Sequence, residues 1–202
     1  MEDGHHQKMS LRIGLISLLS VVALAIAGHR LFYFHQPLGM QVQGIEAHHG
    51  DLIFRQGKGV WSPYFAGLNS STGFSHVGVL IQSGEGFDVL HADADDISQV
   101  GGVQKTPLSQ FVQESLTVKV KSNHMPQQLK DAFIRHLVLM HEQHLAFDSN
   151  FEINDNGSRV YCTEYVWLAA MRAGIKDLGE VITLMGKDLI LVDSIYQSRW
   201  IN

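Results

Sequence analysis

Arg159-Val160-Tyr161-Cys162-Thr163-Glu164-Tyr165-Val166-Trp167-Leu168-Ala169-Ala170-Met171-Arg172-Ala173-Gly174 carries the only cysteine of the chain. Ahead of it, Asn154-Asp155-Asn156-Gly157-Ser158 is turn and loop chemistry, since these residues favour non-helical dihedrals. Behind it, Val166, Ala169, Ala170 and Ala173 recur at helical spacing, and Gly174 suits the left-handed position that ends a helix. The spacing predicts a core-facing helix with Cys162 in its first turn. Unpaired backbone N–H groups and the positive end of the helix dipole favour a thiolate there. A lone cysteine is also among the residues most often buried as a small hydrophobe. It becomes a nucleophile only where a base is supplied.

A base is available in Ser75-His76-Val77-Gly78-Val79-Leu80-Ile81. Residues Ser75 to Gln82 read as a buried strand, Ser83-Gly84-Glu85-Gly86 as a hairpin turn, and Phe87 to Asp93 as the partner strand. Counting outward from the turn puts His76 and His91 at the same open end of this antiparallel pair. Packing alone gives little reason for two histidines side by side at that position.

Around these elements the chain reads as α+β. Gly50-Asp51-Leu52-Ile53-Phe54-Arg55 is a short strand, and Gln56 to Thr72 a long loop of the functional kind, carrying Trp61, Tyr64 and Phe65. Gly101 to Thr106 is a third strand, and Pro107 to Gln113 a short helix with proline in its first turn. Leu116 to Lys121 alternates as a half-buried strand. Pro126 to Leu145 is an amphipathic helix built on Leu129, Phe133, Ile134, Leu137, Val138 and Met140. Gly179 to Asn202 is apolar but leaves helix and strand both open.

Composition narrows the function classes. The net charge of −5, with no cluster of Lys or Arg, gives no footing for nucleic-acid binding. One cysteine rules out an intramolecular disulfide, so the core must hold the fold. At the N-terminus, Lys8 and Arg12 precede an unbroken apolar or small run from Ile13 to Ala27. Its length fits a signal-peptide core and falls short of the ~20 residues that span a bilayer comfortably. Leu31-Phe32-Tyr33-Phe34 then resumes the apolar pattern, with Arg30 placed to snorkel. Residues 1–35 therefore read as a transmembrane signal anchor or, if cut after Ala25-Ile26-Ala27, as a signal peptide. Residues 36–49 are a linker and 50–202 an exported domain, membrane-anchored or secreted, periplasmic or extracellular.

The ordered pieces Gly50-Asp51-Leu52-Ile53-Phe54, Ser75-His76-Val77-Gly78-Val79 and Tyr161-Cys162-Thr163-Glu164 together resemble the permuted papain-like (NlpC-type) cysteine amidases of the YiiX/YebB kind. The resemblance spans roughly Gly50 to Ile175, and the cysteine comes last, as in the permuted group. It implies a small antiparallel sheet or barrel packed on the cysteine-bearing helix, with no cofactor and no metal. It implies Cys162 as nucleophile, His76 as general base and His91 as the orienting residue. His91 is a departure, because many relatives carry a carboxylate at the third position; Asp93 and Glu164 are the alternatives. The implied reaction is hydrolysis of a peptide, cell-wall or lipid amide through an acyl-thioester.

Two other classes stay open: an acyltransferase or thioesterase with the same dyad, and a binding module that keeps the fold without catalysis. Among the remaining histidines, His136, His141 and His144 read as a solvated helix face. His141-Glu142-Gln143-His144 is one residue short of a zinc-binding His-Glu-x-x-His. Trp61, Tyr64 and Phe65 read as packing under the loop or as the lining of an acyl or peptide groove.

Overall fold

The computed structural model describes residues 46–202 apart from Asn154 and Asn156. Residues 1–35 and most of the 36–49 linker lie outside the described part. Among the described residues no helix is long and apolar enough to cross a membrane.

Among the described residues, nine strands and five helices follow in order: β1 (Leu52–Gly57), α1 (Ser62–Leu68), β2 (His76–Ser83), β3 (Gly86–Ala94), β4 (Gly101–Pro107), α2 (Leu108–Gln113), β5 (Ser115–Lys121), α3 (Gln127–Glu142), β6 (Ala146–Phe147), β7 (Arg159–Val160), α4 (Cys162–Arg172), β8 (Val181–Leu184), β9 (Lys187–Ile190) and α5 (Val192–Tyr196). The main sheet runs β5-β1-β2-β3-β4-β6-β7. Its strands are antiparallel except for the short parallel pair β6–β7.

Alternation along the central strands sends side chains to two apolar layers. Leu52, Phe54, Val77, Val79, Leu90 and Ala92 join Phe133, Leu137, Tyr165, Val166 and Ala169 in the main core, under α3 and α4. Ile53, Leu80 and Val89 meet Leu108, Phe111 and Val112 of α2 in a smaller cluster. The β2–β3 hairpin closes through Gly84 at φ +58°, the glycine placement of a II′ turn.

Two expectations change. The stretch from Gln56 to Thr72 is not all loop, because Ser62-Pro63 starts helix α1 with proline in its first turn. The undecided C-terminus becomes both things: a β8–β9 hairpin and then α5. Met185 and Gly186 both sit at positive φ in that hairpin's two-residue turn, as a I′ turn requires.

Gly50-Asp51 is structural rather than chemical. Gly50 holds φ +86°, and a Cβ there would lie 2.8 Å from Ile134. Asp51 is buried and accepts the backbone N–H groups of His48 (2.9 Å) and Asn123 (3.0 Å), which ties the start of β1 to the chain beyond β5.

Candidate active site

The β2–β3 ladder runs from Ser83↔Gly86 to Val79↔Leu90, and just beyond its open end stand His76 and His91. Their rings meet edge to face, with His76 Nε2 2.9 Å from His91 Nδ1. Gly78 makes this possible: a Cβ there would lie 2.5 Å from Val89 Cγ1 and 3.2 Å from His91 Cβ. The far nitrogen of His91, Nε2, lies 2.9 Å from the Thr106 hydroxyl on β4. The Phe111 ring of α2 covers both imidazoles. Burial, reinforced by the Arg55 charge, holds His76 well below the ordinary histidine range. His91 is lowered too, first by burial and then by His76.

Arg55 on β1 pairs in register with His76 and is buried with it. Its guanidinium stacks on Phe111 (4.2 Å to the centroid) and reaches Asp93 Oδ2 (2.7 Å) and Glu114 Oε2 (3.3 Å). Asp93 is thereby committed to arginine, at 3.8 Å from His91 Nδ1. Arg55 Nε is buried with no partner.

Cys162 opens α4, whose start is clamped from outside the helix. Tyr161 OH accepts the Ile190 N–H (3.0 Å), and the Thr163 hydroxyl donates to the Ile190 carbonyl (2.7 Å). The backbone N–H of Val77, the residue after His76, lies close enough to the Cys162 thiol to act on it. That contact ties the sulfur to the histidine strand; no direct hydrogen bond joins Cys162 to His76. Cys162 keeps partial solvent exposure. Burial pushes the thiol up to about 12, against the lowering by the Val77 N–H and the helix start. Both shifts favour the uncharged forms, thiol and imidazole.

Of the three candidates for orienting His76, His91 is the one in contact with it. Glu164 faces elsewhere. Its carboxylate lies near the Tyr161 N–H, which lowers its pKa, and Oε2 is buried without a partner. Burial and the nearby carboxylates of Asp155 and Asp148 raise Glu164 to about 8.

Among the described residues, one group of donor atoms is tight enough for a metal ion: His76, His91 and Asp93, within 4.8 Å of one another. The donor chemistry does not fit one as it stands. A proton occupies the space between the imidazoles, and a guanidinium sits on the aspartate, where it would repel a dication. His141 and His144 approach edge to face, but His144 lies beyond the end of α3 and His141 is half-buried rather than solvated.

The sequence reading missed Arg55 and Thr106. Arg55 stood in the quoted Leu52-Ile53-Phe54-Arg55 run, and two-residue alternation from Ile53 was the signal that it points toward His76. Thr106 carried no signal, since its place depends on the β3–β4 register.

The family of permuted papain-like amidase enzymes, YaeF/YiiX, matches residues 46–192. Among solved structures, "metalloprotein yiiX" from Escherichia coli superposes with a TM-score of 0.62 at 18% identity, covering 77% of this chain and 94% of that one. No curated protein matches the chain in sequence.

Proposed function

The chain belongs to the permuted papain-like amidases of the YaeF/YiiX kind, and from that membership we propose that Cys162 is its nucleophile, His76 its general base and His91 the residue that orients His76. Membership makes the protein an amidase- or peptidase-type hydrolase. The observation that carries the finer assignment is the 2.9 Å bond from His76 Nε2 to His91 Nδ1, at the open end of the strand whose Val77 N–H stands near the Cys162 thiol.

The histidine chain has one protonation pattern that leaves a base. Nε2–H of His76 donates to His91 Nδ1, and Nε2–H of His91 donates to Thr106 Oγ1, which frees His76 Nδ1 to accept. As the sulfur attacks the scissile carbonyl carbon, the thiol proton passes to His76. The carbonyl π-electrons move onto oxygen, which the unpaired N–H of Cys162 at the helix start stabilises. The tetrahedral adduct collapses, the C–N bond breaks, and His76 returns the proton to the leaving amine. Water, deprotonated by His76, then attacks the thioester carbonyl; the C–S bond breaks, the acid is released, and the departing sulfur takes the proton back from His76. Burial disfavours both charged forms, so proton transfer accompanies attack. No step is routed through a metal.

The proposal places this chemistry outside the cytoplasm, on a domain tethered by residues 1–35 or released after their cleavage.

A chloromethyl ketone that labels the thiol tests the assignment. Wild type labels at Cys162, and His76→Ala labels about 100-fold more slowly or worse. An unlabelled wild type, or a His76→Ala variant labelled at the same rate, would sink it. Products formed with water alone and with an added amine acceptor separate hydrolase from transferase.

A further inference from the structure

Two loops at the polar end of the sheet carry an exposed apolar surface. One follows β1 and the other joins β3 to β4, so they continue from Arg55 and from His91 and Asp93. Val60 (76% exposed) and Trp61 (50%) come from the first, Ile97 (91%) and Val100 (75%) from the second. Asp96 gathers the two loops. Its carboxylate accepts the Val60 N–H (2.9 Å) and its carbonyl the Trp61 indole N–H (3.0 Å). The second loop is also held from within. Asp95 Oδ1 accepts the N–H groups of Ile97 (3.1 Å) and Ser98 (2.8 Å), and the Gln99 N–H returns to the Asp95 carbonyl (2.9 Å).

Neighbouring apolar side chains left in water mark an interaction site. Both aspartates spend carboxylate oxygens on the loops' own N–H groups, so the loop tips present hydrocarbon and one indole. These side chains protrude rather than line a groove. A protein partner would need a cavity shaped to them, whereas a bilayer interface yields to any shape and favours tryptophan at headgroup depth. The chain ahead of the domain supplies the membrane: Lys8 and Arg12, the apolar run from Ile13 to Ala27, then Leu31-Phe32-Tyr33-Phe34. The linker of residues 36–49 reaches ~50 Å when extended. The six residues of β1 span only ~20 Å between that linker and the first loop.

We propose that Val60, Trp61, Ile97 and Val100 dock the domain onto the surface of a lipid bilayer, with the His76–His91 end of the sheet turned toward the membrane. The inference rests on residues 1–35 being a membrane tether and is independent of the chemistry assigned to Cys162. The tether holds the patch at high effective concentration over the bilayer, so four side chains suffice where they would bind weakly from solution. Apolar burial drives the docking, so it is insensitive to salt.

Tryptophan fluorescence of the full chain in phosphatidylcholine vesicles, brominated on the acyl chains, tests the docking. Trp61, Trp167 and Trp200 are the only tryptophans, so the tether itself is silent. Bromine quenches part of the wild-type emission, and Trp61→Phe removes that part. Ile97→Ser/Val100→Ser, at sites exposed enough to spare the fold, lowers the docked-to-free ratio about 100-fold, roughly tenfold for each side chain withdrawn from the bilayer. Its Trp61 quenching is accordingly lost. Quenching that survives the double substitution, or that persists in Trp61→Phe, overturns the docking site. So does a chain that floats with the vesicles while bromine leaves Trp61 unquenched, and there the tether stands. A Trp61 emission shifted to the blue without bromine quenching identifies a protein partner instead and overturns the bilayer as occupant. A chain that does not float with the vesicles overturns the tether, and the docking with it.

Discussion

The two faces of β1, β2 and β3 are built from the same three strands, yet they do different work. Under α3 and α4 the face is apolar from end to end: Leu52 and Phe54, Val77 and Val79, Leu90 and Ala92. On the α2 face the apolar residues stop partway. Ile53 gives way to Arg55, Leu80 to His76 across Gly78, and Val89 to His91, all at the same end of the sheet. Burying polar groups costs free energy unless each finds a partner. The polar end nearly meets that condition, through His76–His91–Thr106 and through Arg55 with Asp93, Glu114 and the Phe111 carbonyl. One face holds the fold and one end of the other is arranged to react.

The sharpest way to break this contrast uses neighbours. His76 and Val77 are consecutive but face opposite layers. His76→Ala is expected to lower amide hydrolysis about 10³-fold, the middle of the range for loss of a general base, with a modest loss of stability. Val77→Ala removes two buried carbons and is expected to cost about 2 kcal/mol in urea unfolding, while keeping Cys162 reactive through its unchanged backbone N–H. Equal loss of activity in the two variants would mean that the faces are not separable.

Arg55 gives the next largest effect. Its removal leaves Asp93 and Glu114 without their counter-charge, but their side chains are 31% and 47% exposed, so water recovers part of the loss. Arg55→Met is expected to destabilise by about 2 kcal/mol, less than breaking a fully buried pair costs. The Arg55→Met/Asp93→Asn double variant should cost about 1 kcal/mol less than the sum of the singles. Additive losses would show that the 2.7 Å contact does not couple the two residues.

What the sequence disclosed follows the range of the interactions. Period-two alternation and the Gly84 turn made the β2–β3 hairpin legible, and with it the meeting of His76 and His91, because a hairpin's register is local. Helical spacing placed Cys162 at the start of α4. The ionisation state was not legible. Burial raises the thiol and the dipole lowers it, and only the packing around the sulfur decides between them. Arg55 pairing with Asp93, and Thr106 supporting His91, depend on which strands lie adjacent, a non-local fact. Helix α1 was hidden by the glycine- and serine-rich chain around it, where tertiary contacts override weak propensity.

The smallest effect sits behind the nucleophile and separates the two kinds of buried titratable group by sign. His76 and His91 are held below 6.5 in the folded state. The unfolded chain therefore takes up protons that the folded one refuses, and the stability these residues confer above pH 6.5 is lost as pH falls. Glu164 is the reverse: raised to about 8, it keeps its proton in the folded state where the unfolded chain has released it. Its contribution is complete below about pH 4.5 and lost as pH rises through 8. Wild type should thus have its highest Tm near pH 6.5, sloping down on both sides. Glu164→Gln keeps the size and polarity of the side chain but cannot ionise. It should keep the acid slope and flatten the alkaline one, gaining about 3 °C on wild type between pH 6.5 and 8. A thermal-melting series from pH 5 to 9 reads both slopes at once, and an unaltered alkaline decline in the variant would put its origin somewhere other than the orphaned carboxylate oxygen behind Cys162.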